Sequence, residues 1–364
     1  MKILNINSYF EQSFYENLFS RLRERSVILD VCIPCFKKDK RYDYLANKYN
    51  VLKCYTKLDR FFIRKKAKKI AKTVMKIKEV RNFDLIHAHS LVSNGGPAYE
   101  IWKKTGVNYV LAVRSTDLNF FLKYFIYYRS YFKEILLNSS RIIFISKSGQ
   151  SSFLKLFKND KAFLKAVSSK FLVIPNGIDP VFFLNEKIEK KSIHDPVRIL
   201  FCGVNNKLKN SIFIAEAISK YCLNCTFTVV GKAVDKKIEN KLSRYDFVNR
   251  VLETDLSEMP SIYSDHDIFA MISLKETFGL VYIEALSQGL PILYTKDTGI
   301  DGQFYEGQVG FHVDKDKMAD FYRGYKLIID RYENLSKSAK QQSVLFNWDY
   351  ITKKYISLYH ELIC

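Results

Sequence analysis

Short apolar runs alternate with longer segments of helical periodicity along nearly the whole chain. In the first half the runs cover residues 2–6, 27–33, 85–88, 109–113, 141–145 and 171–174. In the second half they cover residues 198–202, 226–230, 268–272, 291–294 and 310–313. Runs this short, apolar throughout and separated by helices predict parallel strands buried on both faces. Two successive sets of them predict two Rossmann-like α/β domains. After "FLVIPNGIDP" the stretch "VFFLNEKIEKKSIHDP" is charged and lacks apolar periodicity, so a linker is expected near residues 180–195. The expected division is residues 1–180, residues 181–345 and a terminal helix over residues 346–364. In that helix Trp348, Ile351, Tyr355, Leu358 and Leu362 share one face, which predicts packing back toward the N-terminal domain.

Composition adds an asymmetry. The 364 residues carry a net charge of +20, and the whole excess lies in the first half: residues 1–180 hold 34 basic and 14 acidic residues, residues 181–364 hold 24 of each. A basic half suits an anionic partner, either nucleic acid or a membrane surface. Codon bias toward lysine is the plainer source, but it would enrich both halves. No apolar stretch is long enough to span a bilayer, and the N-terminus lacks the long apolar segment of a signal peptide, so a cytoplasmic protein is expected. Seven cysteines, an odd number, are expected to be reduced. The pairs Cys32/Cys35 and Cys222/Cys225 have metal-ligand spacing but no supporting histidines, and no metal site is assigned to them.

The segment "DIFAMISLKETFGLVYIEALSQGLPILYTKDTGIDG" carries the most chemistry. A buried strand ends in a polar loop holding Glu276, and a helix opens near Gly279 and contains Glu284. Ligands of open parallel sheets bind beyond the carboxyl ends of the strands. Free amides around Phe278, Gly279 and Leu280 suit a phosphate, and glycine leaves room for its approach. Two carboxylates flanking such a site accept paired hydrogen bonds from vicinal hydroxyls, as on a ribose or a hexose. The combination suggests a sugar nucleotide.

These residues resemble the E-x7-E region of family 4 of the retaining glycosyltransferases, which have the GT-B fold. The segments "FDLIHAHS", "VNYVLAVRSTDLN", "RIIFISKS", "IPNGID", "RILFCG", "TFTVVG", "MPSIYSDHDIFAMIS", "YTKDTGIDG" and "FNWDYITKKY" follow in the family's order, so the resemblance spans nearly the whole chain. It implies two Rossmann-like domains with parallel sheets facing across a cleft, and a nucleotide-sugar co-substrate, UDP- or GDP-linked, with neither cofactor nor metal. By resemblance Glu276 binds donor-sugar hydroxyls, the backbone of Phe278, Gly279 and Leu280 serves sugar and phosphate, Glu284 holds the ribose, and Lys209 neutralises the departing diphosphate. Gly203 and Asn205 lie in the same donor loop. The family's arginine after Gly203 is replaced by Val204, for which Lys207 is expected to compensate.

The first half departs further. Relatives commonly carry His in an "H-G-S/T-D" loop near the reacting centre, where this chain reads Arg114-Ser115-Thr116-Asp117. Arginine is no general base. Arg114 is expected to clamp an anion and is placed with Asp117 in the catalytic set, while Ser93, Asn94 and Gly95 form a flexible acceptor-side loop together with Thr116. His87 and His89 are expected to pack or hydrogen bond rather than hold metal. Asp265 and Asp267 are read as strand-entry residues, and Asn176 and Gly177 as a turn between domains.

Between residues 57 and 81 there are eleven basic and two acidic residues. Ile63, Ala67, Ile70, Val74 and Ile77 recur at helical spacing, which predicts a basic amphipathic helix with Arg64, Lys65, Lys68, Lys69, Lys72 and Lys76 on an anionic leaflet. The plainer reading puts the apolar stripe in the core and leaves the lysines solvated. Residues 118–136 add aromatics among Lys123, Arg129 and Lys133, a composition suited to an interface. The expectation is a retaining glycosyltransferase, peripheral on the cytoplasmic face of a bacterial membrane, acting on a lipid-linked saccharide. The rivals are a sugar-nucleotide epimerase, a synthase with a soluble acceptor, or a basic nucleic-acid-binding protein; no nucleic-acid motif supports the last.

Overall fold

The computed structural model describes residues 1–10, 12–184 and 192–363. The chain divides into two compact units. The first comprises Met1–Ile145, Gly149–Pro175 and Ile351–Cys364, the second Ser146–Ser148 and Asn176–Tyr350.

The first unit is a seven-stranded sheet built from β1 (Lys2–Ile6), β2 (Ile28–Phe36), β3 (Asn50–Tyr55), β4 (Leu85–Ala88), β5 (Tyr109–Val113), β6 (Arg141–Phe144) and β7 (Phe171–Val173), in the order β3-β2-β1-β4-β5-β6-β7. All its pairings are parallel. The central strands β4 and β5 are buried at every position, which is why they read as uninterrupted apolar runs. Helix Ile63–Ile77 closes one face: Ile63, Ala67, Ile70 and Val74 join Leu4, Ile6 and Ile86 in one core. It approaches helix Gly96–Thr105 closely, since a Cβ on Gly96 would stand 3.2 Å from that of Ala67.

The second unit is a six-stranded sheet of β8 (Val197–Cys202), β9 (Cys225–Val230), β10 (Val248–Val251), β11 (Ile268–Met271), β12 (Ile292–Thr295) and β13 (Gly310–Val313), ordered β10-β9-β8-β11-β12-β13 and again parallel throughout. Each sheet therefore reverses its strand order once, between β1 and β4 in the first and between β8 and β11 in the second. Loops leaving two such adjacent strands diverge and open a crevice at their carboxyl ends, the usual ligand position in sheets of this kind.

The apolar pattern missed β3 and β10, both edge strands. Edge strands face water on one side and carry polar residues such as Asn50, Lys53, Asn249 and Arg250, which break the run. The expected borders at 180 and 345 also move. Residues 176–180 belong to the second unit, where the Ile178 amide donates to the Phe346 carbonyl at 3.0 Å and the Gly177 Cα lies so near Trp348 that a Cβ would stand 2.6 Å from its ring. Seven of the sixteen residues of the expected linker, 185–191, lie outside the described ones. Helix Trp348–Ile363 enters the first unit at Ile351, and its Tyr359 hydroxyl meets His87 Nδ1 at 2.7 Å.

Candidate functional site

At the crevice of the second sheet two loops are pinned together. The Leu274 amide donates to the Leu208 carbonyl at 2.8 Å, and the Asn210 side chain donates to the Ile272 carbonyl at 3.2 Å. Asn206 shapes the first loop by accepting from the Leu208 and Lys209 amides at 2.9 and 3.1 Å, an Asx turn. The outcome is an ion pair: Lys209 Nζ stands 2.5 Å from Glu276 Oε2, with the two side chains 26% and 15% exposed. Both groups thus meet solvent while holding one another in place.

The Glu276 backbone is fixed from a third loop. Its carbonyl accepts from Thr298 Oγ1 at 2.6 Å and from the Gly299 amide at 3.1 Å. Ser146 and Ser148 brace the same region, donating to the carbonyls of Thr277 and Gly299 at 2.8 and 2.6 Å. Sequence reasoning assigned no role to these four residues, although "RIIFISKS" and "YTKDTGIDG" were visible as family segments. Gly279 has φ +79°, and a Cβ there would meet the Tyr282 ring at 2.6 Å, so only glycine fits. Helix Leu280–Ser287 begins immediately after it, leaving its first amides without intrahelical acceptors. Phe278 contributes backbone alone, since its buried ring packs on Phe346.

Glu284 lies one helical turn further on and accepts from the Tyr263 hydroxyl at 2.9 Å. Burial raises its carboxyl to about 7, opposed by the Tyr263 bond and reinforced by the charge of Asp179. The group is therefore poised between neutral acid and carboxylate near neutral pH. Gly203 has φ +143° with open space where a side chain would be, so its backbone stays accessible. Lys207 is exposed. Asn205 departs from the expectation of a donor contact: it is fully buried, its amide donating to Glu239 Oε1 at 2.5 Å and its oxygen accepting from Ser211 at 2.6 Å. It ties the loop to helix Lys236–Leu242 instead.

In the first unit the equivalent crevice is organised differently. Asp117 is buried and accepts from the amides of Arg114, Leu91 and Val92 at 2.9, 3.0 and 3.1 Å. Burial pushes its carboxyl up while these three amides pull it down. It clasps two loops and has no free face for reacting atoms, which corrects its placement in the catalytic set. Arg114 Nε donates to the His89 carbonyl at 3.2 Å. The expected flexible loop is also corrected: residues 91–95 form a buried π-helical turn leading into helix Gly96–Thr105. Asn94 accepts from the Ser8 amide and hydroxyl at 2.9 and 2.7 Å, and a Cβ on Gly95 would crowd Ile135 at 3.3 Å. Of the four expected acceptor-side residues, Ser93 and Thr116 line a pocket, whereas Asn94 and Gly95 are packed inside. His87 and His89 stack at 4.0 Å and hydrogen bond to Tyr359 and Asn5, and burial lowers His87 to about 3, so both rings are neutral.

The basic helix follows the plainer reading for its apolar stripe, which is buried in the core except at Ile77. Two of the six expected membrane contacts are engaged internally. Lys69 pairs with Asp59 at 2.7 Å, and Arg64 reaches Glu134 at 3.5 Å and lies over the Tyr131 ring. Lys65, Lys68, Lys72 and Lys76 are exposed, and their spacing of three and four residues puts them on one outer face. Elsewhere Asp267 accepts from the Arg198 amide at 2.8 Å at the entry to the second sheet. Cys32 and Cys35 lie three apart on β2 and so face opposite sides of the sheet.

The family described as glycosyl transferases group 1 matches residues 184–343, and glycosyltransferase family 4 matches residues 13–182. An uncharacterized glycosyltransferase of Methanocaldococcus jannaschii is 25% identical over 368 residues, spanning 99% of this chain and 89% of its own. Among solved structures, Anabaena HepE in complex with UDP superposes with a TM-score of 0.71 at 14% identity, covering 99% of this chain and 100% of that one. A lipopolysaccharide outer core galactosyltransferase superposes with a TM-score of 0.74 at 14% identity, covering 99% of each chain. No described helix is long and apolar enough to cross a membrane.

Proposed function

The chain is a glycosyltransferase of the GT-B type, with a family 4-like first half, and on that premise we propose that it is a retaining, metal-independent enzyme of surface-polysaccharide synthesis. It transfers a hexose from a nucleotide sugar to a lipid-linked saccharide of capsule, exopolysaccharide or O-antigen assembly, at the cytoplasmic face of a bacterial membrane. The observation that carries this reading is the Lys209–Glu276 ion pair at the switch point of the second sheet, beside the free amides that open helix Leu280–Ser287.

In this reading the donor's sugar–phosphate bond breaks while the acceptor oxygen bonds the same carbon from the same face. The acceptor's proton passes to the departing phosphate oxygen, so no protein base is required, in keeping with Arg114 where relatives carry histidine. Lys209 meets the charge that gathers on the leaving diphosphate, and fixed charge of this kind is worth about 3 kcal/mol in a desolvated site. Glu276 exchanges its bond to Lys209 for sugar hydroxyls, and Glu284 takes the ribose. UDP is favoured as the nucleotide because HepE, of the same fold, holds it. A lipid-borne acceptor is supported by the outer core galactosyltransferase and by the exposed lysines of helix Ile63–Ile77. The test is turnover of UDP- and GDP-sugars by the purified chain. Stabilisation by UDP with release of UDP from one UDP-sugar supports the reading, and inertness toward every nucleotide sugar overturns it.

A further inference from the structure

The first unit holds a pocket of about 470 Å³ that none of the donor chemistry uses. It opens at the switch point of the first sheet, with Ser8 just beyond β1 and Ser93 just beyond β4 on its wall, and Thr116 nearby. Three cations line it. Arg41 is bound to Asp39 at 2.8 Å. The other two, Arg60 and Lys66, form no ion pair with any described residue. The acids whose charge reaches them are engaged elsewhere: Asp59, felt by Lys66, pairs with Lys69 and the Thr56 amide, and Asp39, which feels Arg60, pairs with Arg41. Lys66 is half-buried, its Nζ 4.4 Å from the centre of the Tyr55 ring. Burial lowers its ammonium to about 8, with the charge of Arg60 adding to the shift. Two cations without an ion-pair partner beside one cavity are an electrostatic cost that an anion removes.

The mouth of the pocket has the opposite character. Tyr9, Phe61 and Phe120 line the pocket and are themselves exposed, and Leu58, Phe62, Tyr124, Ile126 and Tyr127 are exposed within two residues of its wall along the chain, Tyr127 at 93%. The Tyr128 hydroxyl bonds the Phe61 carbonyl at 3.3 Å and joins the two segments. Eight large apolar side chains exposed on the pocket wall or within two residues of it exceed the scattered exposure of ordinary surfaces, and aromatics among basic residues suit a membrane interface.

We propose that this pocket seats a phosphate-headed amphiphile, its phosphate on Arg60 and Lys66 beside the hydroxyls of Ser8, Ser93 and Thr116, its hydrocarbon chain leaving over the aromatic rim. The proposal rests on the glycosyltransferase reading in taking this amphiphile to be the lipid end of the acceptor. The two cations select the phosphate, and the rim selects the chain, so neither half alone binds as well as both.

The test is calorimetric titration of the full chain with farnesyl phosphate, farnesol and inorganic phosphate. Farnesyl phosphate is expected to bind at least about tenfold more tightly than either of the others. Lys66→Met and, independently, Arg60→Gln at an exposed position should each weaken it by about tenfold while UDP binding is unchanged. Equal affinity for farnesol, equal affinity for inorganic phosphate, or indifference to both substitutions overturns the proposal. Vesicles of phosphatidylglycerol form the second arm: if Lys66→Met weakens vesicle binding as much as farnesyl phosphate binding, the pocket reads bulk headgroups, and the acceptor assignment is overturned. The glycosyltransferase reading fails separately, through inertness toward nucleotide sugars, an outcome that leaves the titration with farnesyl phosphate standing.

Discussion

The two sheets share one topology and use their crevices in opposite ways. In the second unit the loops leaving β8 and β11 present groups to solvent: an ion pair that a ligand can divide, a glycine, and the opening of a helix. In the first unit the loops leaving β1, β4 and β5 bind one another. The Asp117 carboxylate and the Asn94 side-chain oxygen accept from within the unit, and Lys66 and Arg60 line a pocket to one side, beside an aromatic rim. One crevice is built around a solvent-facing ion pair and the opening of a helix, the other around an exposed arginine, a half-buried lysine and apolar surface. A site for a compact, highly charged nucleotide needs the first kind, and a site for an amphiphile the second.

The sharpest way to break this contrast is to remove the charged pair of the second unit. Lys209→Ala or Glu276→Ala should lower transfer by about two to three orders of magnitude, with an unchanged melting profile, as each side chain is partly solvated. Full activity in either folded variant would move the donor site elsewhere. The corresponding change in the first unit is Lys65, Lys68, Lys72 and Lys76 to Gln together. Each basic residue near an anionic surface adds about 1 kcal/mol of attraction, so binding to phosphatidylglycerol vesicles should fall by up to about three orders of magnitude while UDP affinity stays constant. An equal fall in UDP affinity would assign these lysines to folding or to the donor site.

The contrast also explains which parts of the molecule were legible beforehand. The residues proposed for the donor lie within residues 276–284 and around Lys209, and their order along the chain is a local signal. Eleven of the thirteen strands among the described residues were visible because central parallel strands are apolar at each position, while β3 and β10 were hidden by the polar residues that an edge permits. The pocket of the first unit was illegible for a different reason: Ser8, Arg60, Lys66, Ser93 and Thr116 come from separate segments, and Lys66 looked like one lysine among many. Its half-burial follows from the helix entering the core at Ile63 and Ala67, a tertiary fact. Asn205 and Asp117 were misjudged because a polar residue in a functional loop is as often a clasp as a contact, and only partners reveal which.

Asp117 tests that distinction directly. Asp117→Ala would leave three buried amides without an acceptor, and buried unsatisfied donors cost on the order of 1–3 kcal/mol each before relaxation or water entry. A net loss of about 2–3 kcal/mol is expected, read as a lower urea midpoint, with UDP affinity of the folded fraction retained. Were Asp117 instead a group in the reacting centre, stability would hold and turnover alone would fall.

The smallest effect concerns the protonation of Glu284. Its carboxyl is raised by burial to about 7, so the neutral acid predominates below that pH and the carboxylate above it. A carboxylate accepts from both hydroxyls of a ribose, whereas the acid accepts poorly and must donate its proton. Affinity for a UDP-sugar, whose phosphodiesters do not titrate here, should therefore strengthen about tenfold between pH 6 and pH 8, with the inflection near 7. Glu284→Gln should flatten the profile at the weaker, low-pH level, because the amide offers one accepting oxygen and a donating nitrogen where the ionised group offers two accepting oxygens. A profile with the same inflection in the Gln variant would place the titrating group outside the ribose site, and a weakening with rising pH would mean that the acid, donating to the nucleotide, is the binding form. The first unit offers the control: binding of farnesyl phosphate should be unaffected by Glu284→Gln at any pH, since the two sites draw on no common residue.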